Sequence, residues 1–225
     1  MRHPIRKFYE FLDTPLFGPS RLVLAVLALG LLLSFAAPLW RIHLIAPQYP
    51  DGLWIDIWSY KLEGGGDGQH VQEINTLNHY IGMRPLDREA LSDLDWIPFA
   101  LGGLVLLALR AAAIGTVRSL LDVAVLTLYF TLFSFGRFAH KLWLFGHDLS
   151  PTAPMKVEPF MPPLVGSKQI ANFVSTSLPQ PGSLFLGLFT VGVLALAVWH
   201  LAAGRRRAAG EETDEGPAVE IAPAS

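Results

Sequence analysis

Cysteine is absent from the chain. That absence excludes disulfides, thiolate metal sites, iron–sulfur clusters and covalently attached c-type haem. Charge is scarce: Asp, Glu, Lys and Arg make up 16% of 225 residues, against about 25% in an ordinary soluble domain. The shortage is uneven, with long stretches carrying no charge at all. The formal net charge of −2 offers no basic surface of the kind nucleic acid selects, so no nucleic-acid partner is expected. Catalytic motifs are missing too. There is no Gly-rich phosphate loop, no GxSxG, no paired-acid motif and no spacing that joins Ser and His into a triad. The HxH, HxxxH and HExxH spacings of metal sites are absent as well. An enzyme is not expected.

What the chain has instead is hydrocarbon, with 52% hydrophobic residues. A helix rises about 1.5 Å per residue, so crossing a bilayer core of about 30 Å takes roughly 20 apolar residues. Four segments meet that length: 21–40 (RLVLAVLALGLLLSFAAPLW), 96–113, 119–136 and 183–203. The first resembles a signal peptide in its small residues near SFAA. Its long basic approach and an apolar run beyond the usual length of about 7–15 residues favour an uncleaved anchor. Arg2, Arg6, Lys7, Arg21, Arg110, Arg118 and Arg205-Arg206-Arg207 gather on the side with little loop. The positive-inside rule then places both termini in the cytoplasm.

This arrangement leaves 1–20 as a cytoplasmic interfacial segment and 204–225 as a polar cytoplasmic tail too poor in apolar residues to order. It puts two long loops, 41–95 and 137–182, outside. In the first, RIHLIA and GLWIDIWSYKL have the β-branched and aromatic content of strands. Gly64 to Gly68 forms a turn, and Val71, Ile74, Leu77 and Ile81 repeat at helical spacing up to Gly82. The second begins as a continuation of the third span through HKLWLFG. Pro151, Pro154, Pro159, Pro162 and Pro163 then impose an extended path. Such a path is expected to be ordered against the first loop. The predicted fold is therefore a membrane all-α protein of four transmembrane helices with a small α+β extracytoplasmic cap built from two long loops.

Of seven histidines, His43, His70, His79, His140 and His147 fall on the outer side. His79 and Met83 share a face if their helix continues through Gly82, and His140 and His147 share one on the extended third helix. Without cysteine, imidazole, thioether and carboxylate remain as copper ligands. His79, Met83, His140 and His147, with Asp148 nearby, make a candidate copper site. The competing reading is histidines bonded to loop backbone and a methionine packed at a helix end. Trp40, Trp54, Trp58, Trp96 and Trp143 fit an interfacial aromatic belt without any cofactor. Asp122, with Arg118 one turn before it and Arg110 at the end of the neighbouring helix, reads as a member of a cytoplasmic-end ion pair. His200 has no second intramembrane histidine to share a haem.

The stretches APQYP (46–50), INTLNHYIGM (74–83) and GHDLSPTAPMKVEPFMPPLVGSKQIANF (146–173) resemble a family. Its members are small multi-span proteins encoded beside clade II nitrous oxide reductase and its copper-delivery genes. The resemblance covers both outer loops and the four-span layout. The copper chaperone of that cluster anchors through a lipidated cysteine, so a chain without cysteine is not that lipoprotein. The resemblance implies a non-catalytic accessory protein of the bacterial inner membrane, with a protein partner on the periplasmic face. The implied role is maturation of a periplasmic respiratory copper enzyme or electron delivery to it. The alternative is a structural or electron-transfer subunit of a larger respiratory or photosynthetic complex. A visible spectrum and co-purification at fixed stoichiometry would separate these.

Overall fold

A computed structural model describes residues 4–87, 89–170 and 172–214. Element α1 (Pro4–Leu12) precedes α2 (Ser20–Leu32), which tightens into a 3-10 turn at Leu33–Phe35. The first outer loop folds as β1 (Trp40–Ala46), β2 (Tyr49–Ile57), β3 (Leu62–Gly64) and α3 (Gln69–Ile81). A 3-10 turn at Ser92–Asp95 leads into α4 (Ile97–Ile114), followed by α5 (Val117–His147). The second loop supplies β4 (Gly166–Ile170) and β5 (Phe173–Pro179), and α6 (Pro181–Asp214) closes the described chain.

Among the described residues, three helical segments are long and apolar enough to cross a membrane: Ser92–Ile114, Val117–His147 and Pro181–Arg205. With α2 they form one bundle. Leu24, Ala28 and Leu31 of α2 meet Leu101, Leu104 and Ala108 of α4, Leu120 and Val123 of α5, and Phe189 and Val193 of α6. The outer faces are as apolar as the inside, with Leu106, Val125, Leu132, Leu188 and Val198 exposed. Helices hydrophobic all round belong in lipid when they are not buried in protein.

The first of the four expected spans, 21–40, is helical only over Ser20–Phe35, an apolar helix shorter than the three that are long enough to cross. Pro38 lacks the N–H that would continue the ladder and biases Ala37 away from helix. By Leu39 the chain belongs to the sheet: its N–H donates to Ile57 O at 2.8 Å, and its carbonyl accepts from Gln180 N at 3.0 Å. The tail differs as well, because α6 remains helical to Asp214 where an unstructured segment was expected from 204. The rest of that tail, 215–225, lies outside the described residues. Arg118 reaches Asp13 at 3.0 Å, in the α1–α2 connection, in place of Asp122. At the same end Arg21 Nε donates to Ala112 O at 2.9 Å, capping the last carbonyls of α4.

At the end of the bundle away from α1, the two loops form one domain. A five-stranded sheet runs in the order β3-β2-β1-β5-β4, and every neighbouring pair is antiparallel. Trp40 faces Pro179 and Ile45 faces Val174, so the second loop completes a sheet begun by the first. Leu44, Leu53, Ile55, Ile170 and Phe173 on the inner face pack with Ile74 and Ile81 of α3. The proline-rich segment is stitched on by backbone bonds: Ser150 N to Gly82 O at 2.8 Å, Met155 N to Tyr80 O at 2.9 Å, and Phe160 N to Gly146 O at 3.0 Å.

Candidate functional site

The stretches that resembled a family converge in space. A cleft of about 370 Å³ is lined by Ala46 to Tyr49, then Thr76, Leu77, Tyr80 and Ile81, and finally Met155, Asn172 and Phe173. Every one of these residues belongs to APQYP, INTLNHYIGM or the 146–173 stretch.

Local chemistry explains why the strand-to-helix region holds this shape. Asn75 Oδ1 accepts from Leu86 N at 2.7 Å, and Asn78 Nδ2 donates to Arg84 O at 3.4 Å. These two amides fasten the chain leaving α3 back against its own helix. Gly82 ends α3 with φ +79, a conformation glycine adopts freely. Ser150 also packs so closely that a Cβ at Gly82 would lie 2.9 Å from its nitrogen. Tyr80 and Met155 remain exposed at the cleft edge.

One polar part of the cleft wall is Tyr49, whose hydroxyl donates to the Glu73 carboxylate. That bond, helped by partial burial and by the charge of Glu73, holds the Tyr49 phenol above its ordinary value. Its contribution to cap stability is present below the ordinary tyrosine value of about 10 and is lost as pH climbs through the raised folded value. Ultraviolet difference titration of the protein against Tyr49→Phe should show this late transition. Glu73→Gln should bring it back toward the ordinary value. Unchanged titration in Glu73→Gln would show that the carboxylate is not the cause.

The expected copper ligands are not brought together. Among the described residues no group of three or more His, Asp and Glu side chains is placed to hold a metal ion. The reason lies at Gly82: its left-handed turn stops the helix, so Met83 no longer shares a face with His79. Met83 turns into the wall of an apolar chamber beneath the sheet, and His79 stays exposed on α3. His140 and His147 do share a face of α5, as expected, but Trp143 lies between them. Its ring centroid is 6.2 Å from that of His140 and 4.4 Å from that of His147, nearly parallel to both. Asp148 is engaged by Arg84, whose Nε donates at 2.8 Å.

The other outer histidines are structural. His70 Nδ1 accepts from Trp54 N at 3.1 Å, and the His43 ring packs over Gly52. In the bundle, His200 is buried with Nε2 3.0 Å from Ser20 Oγ. Trp40 and Trp54 stand on strands, Trp96 heads α4 and Trp143 lies on the α5 extension. Sequence reasoning missed the cleft as a place, although it had marked all three of its segments. Only the pairing of β1 with β5 brings Asn172 and Phe173 beside Ala46.

The architecture defines a class: membrane-type helices carrying a folded α+β cap at one end. Compared with family models, curated proteins and solved structures, the chain matches none.

Proposed function

We propose that this is a non-catalytic membrane accessory protein whose cap docks a protein partner through the Tyr49–Tyr80–Met155 cleft. The partner we assign is a periplasmic respiratory copper enzyme of the nitrous oxide reductase type, served in maturation or in electron delivery. One observation supports the reading above the others: the three stretches behind the family resemblance line a single exposed cleft. A folded platform at the end of the bundle, with tyrosine and methionine at its edge, suits recognition of a protein surface. The density of Lys and Arg around α1, the α4–α5 turn and the end of α6 supports assigning that end of the bundle to the cytoplasm.

A chain without native cysteine makes the test direct. Thr76 is exposed in the cleft and Glu10 is exposed on α1, so each is replaced singly by cysteine. Intact cells are then treated with a membrane-impermeant thiol reagent. Thr76→Cys should be labelled and Glu10→Cys protected, and labelling of Thr76→Cys should rise several-fold when the copper enzyme is deleted. The opposite labelling pattern would reverse the orientation. Equal labelling of Thr76→Cys with and without the enzyme would sink the docking assignment.

A further inference from the structure

Between the sheet and the bundle lies a second feature, an apolar chamber of about 170 Å³. Its roof is the inner face of the sheet, including Ile42, Leu44 and Ile55, and α3 adds Ile74. Its floor is one stripe of α5, in which Ser134, Arg137, Phe138, Lys141, Leu142 and Phe145 recur at helical spacing. An apolar cavity of about 150 Å³ stays dry and takes up benzene, so this chamber has room for a segment of hydrocarbon.

The few polar groups in its wall are not balanced. Asp93 is the one carboxylate in the lining, and it serves Arg137, whose Nη2 lies 2.9 Å away. Asp93 also accepts from Trp96 Nε1 at 3.0 Å. Lys141 donates to the carbonyl of Ala90 at 2.7 Å and forms no ion pair among the described residues. Two cations therefore face one anion. Ser134 Oγ, one turn before Arg137, is buried without a hydrogen-bond partner. A largely apolar chamber with an unsatisfied hydroxyl and a surplus positive charge fits a ligand with the complementary parts.

We infer that the chamber binds one hydrocarbon chain of an anionic amphiphile, its head held by Lys141 and Arg137 and its carbonyl oxygen bonded by Ser134. A free fatty acid and an anionic phospholipid share this chemistry. The chamber shares Phe173 with the wall of the docking cleft but does not depend on the assignment made there.

The full chain, reconstituted in phosphatidylcholine nanodiscs, is tested with three photoactivatable probes carrying a diazirine on the chain. These are palmitic acid, the matching fatty alcohol and phosphatidylglycerol. The acid, the phosphatidylglycerol or both should crosslink to chamber residues and saturate at one per protein. Labelling by the acid alone identifies a free acid, and labelling by the phospholipid identifies a lipid of the bilayer. The alcohol should label about tenfold less, the usual worth of a hydrogen bond to a charged group. Lys141→Gln should reduce the anionic probes to the level of the alcohol, and Leu44→Trp should block every probe by filling the chamber. If Leu44→Trp does not fold, Lys141→Gln still decides. Crosslinks spread over the lipid-facing sides of α4, α5 and α6, an alcohol that labels as well as the acid, or an unaffected Lys141→Gln would each overturn the inference.

Discussion

Gly146→Ala should release the proline-rich segment from the cap while leaving the helix bundle folded. Gly146 lies in the last turns of α5, where Phe160 N donates to its carbonyl at 3.0 Å. A Cβ there would fall 1.9 Å from the carbonyl oxygen of Phe160 and 3.0 Å from Pro162 Cδ. The first of these is backbone, so no rotamer change relieves it. Alanine is worth about 0.5–1 kcal/mol more than glycine inside a helix, and the variant α5 is therefore intrinsically the better helix. The clash acts the other way and costs more, about 1–3 kcal/mol for overpacking plus the lost Phe160 bond. A net loss of about 2 kcal/mol corresponds to roughly thirtyfold more of the opened segment. Trypsin reports this directly, because Lys156 is exposed within the segment and cleavage tracks the open population when reclosing is fast. The rate at Lys156 should rise about thirtyfold relative to cleavage at Arg205. An unchanged ratio would mean that the segment is not held by its contact with α5.

That contact was half legible beforehand. The extension of the third span through His147 followed from HKLWLFG, and the prolines called for a surface on which to lie. The strands RIHLIA and GLWIDIWSYKL were visible from their composition, although the second ends at Ile57 and resumes as β3 after a turn. Strand β5 was not visible, for a physical reason. Along FVSTSLP the buried positions are Phe173, Ser175 and Ser177, whereas Val174 and Leu178 are exposed. The alternation is inverted beyond Phe173, with serines inside because Ser177 Oγ accepts from Trp40 Nε1 at 2.7 Å and donates to Leu164 O at 3.0 Å. A pattern search for apolar residues on the inner face finds nothing there. The helix face shared by His79 and Met83 failed for the converse reason. Gly82 was recognised as a stop, and a stop that reverses the chain removes the face that the ligand set required.

Arg41→Ala should destabilise the cap far more than Asp56→Ala, although both remove the same ion pair. The two residues face each other across β1 and β2, with Arg41 Nε and Nη2 each 2.6 Å from a different carboxylate oxygen of Asp56. Their surroundings differ. The Asp56 side chain is 7% exposed and that of Arg41 is 41% exposed, lying 4.6 Å over the Trp54 ring. With Asp56 gone, water can solvate the guanidinium, and the loss should be about 1 kcal/mol. With Arg41 gone, a carboxylate stays buried without its partner, and the loss should approach 3 kcal/mol. Removing both should cost little more than removing Asp56 alone, since no charge is then stranded. Asp56 in turn holds the Arg41 guanidinium still further above its already high value. Urea unfolding of the cap, followed by tryptophan fluorescence at neutral pH, should show the Arg41→Ala loss exceeding the Asp56→Ala loss by about 2 kcal/mol. Equal losses for the two single variants would show that the buried carboxylate needs no partner.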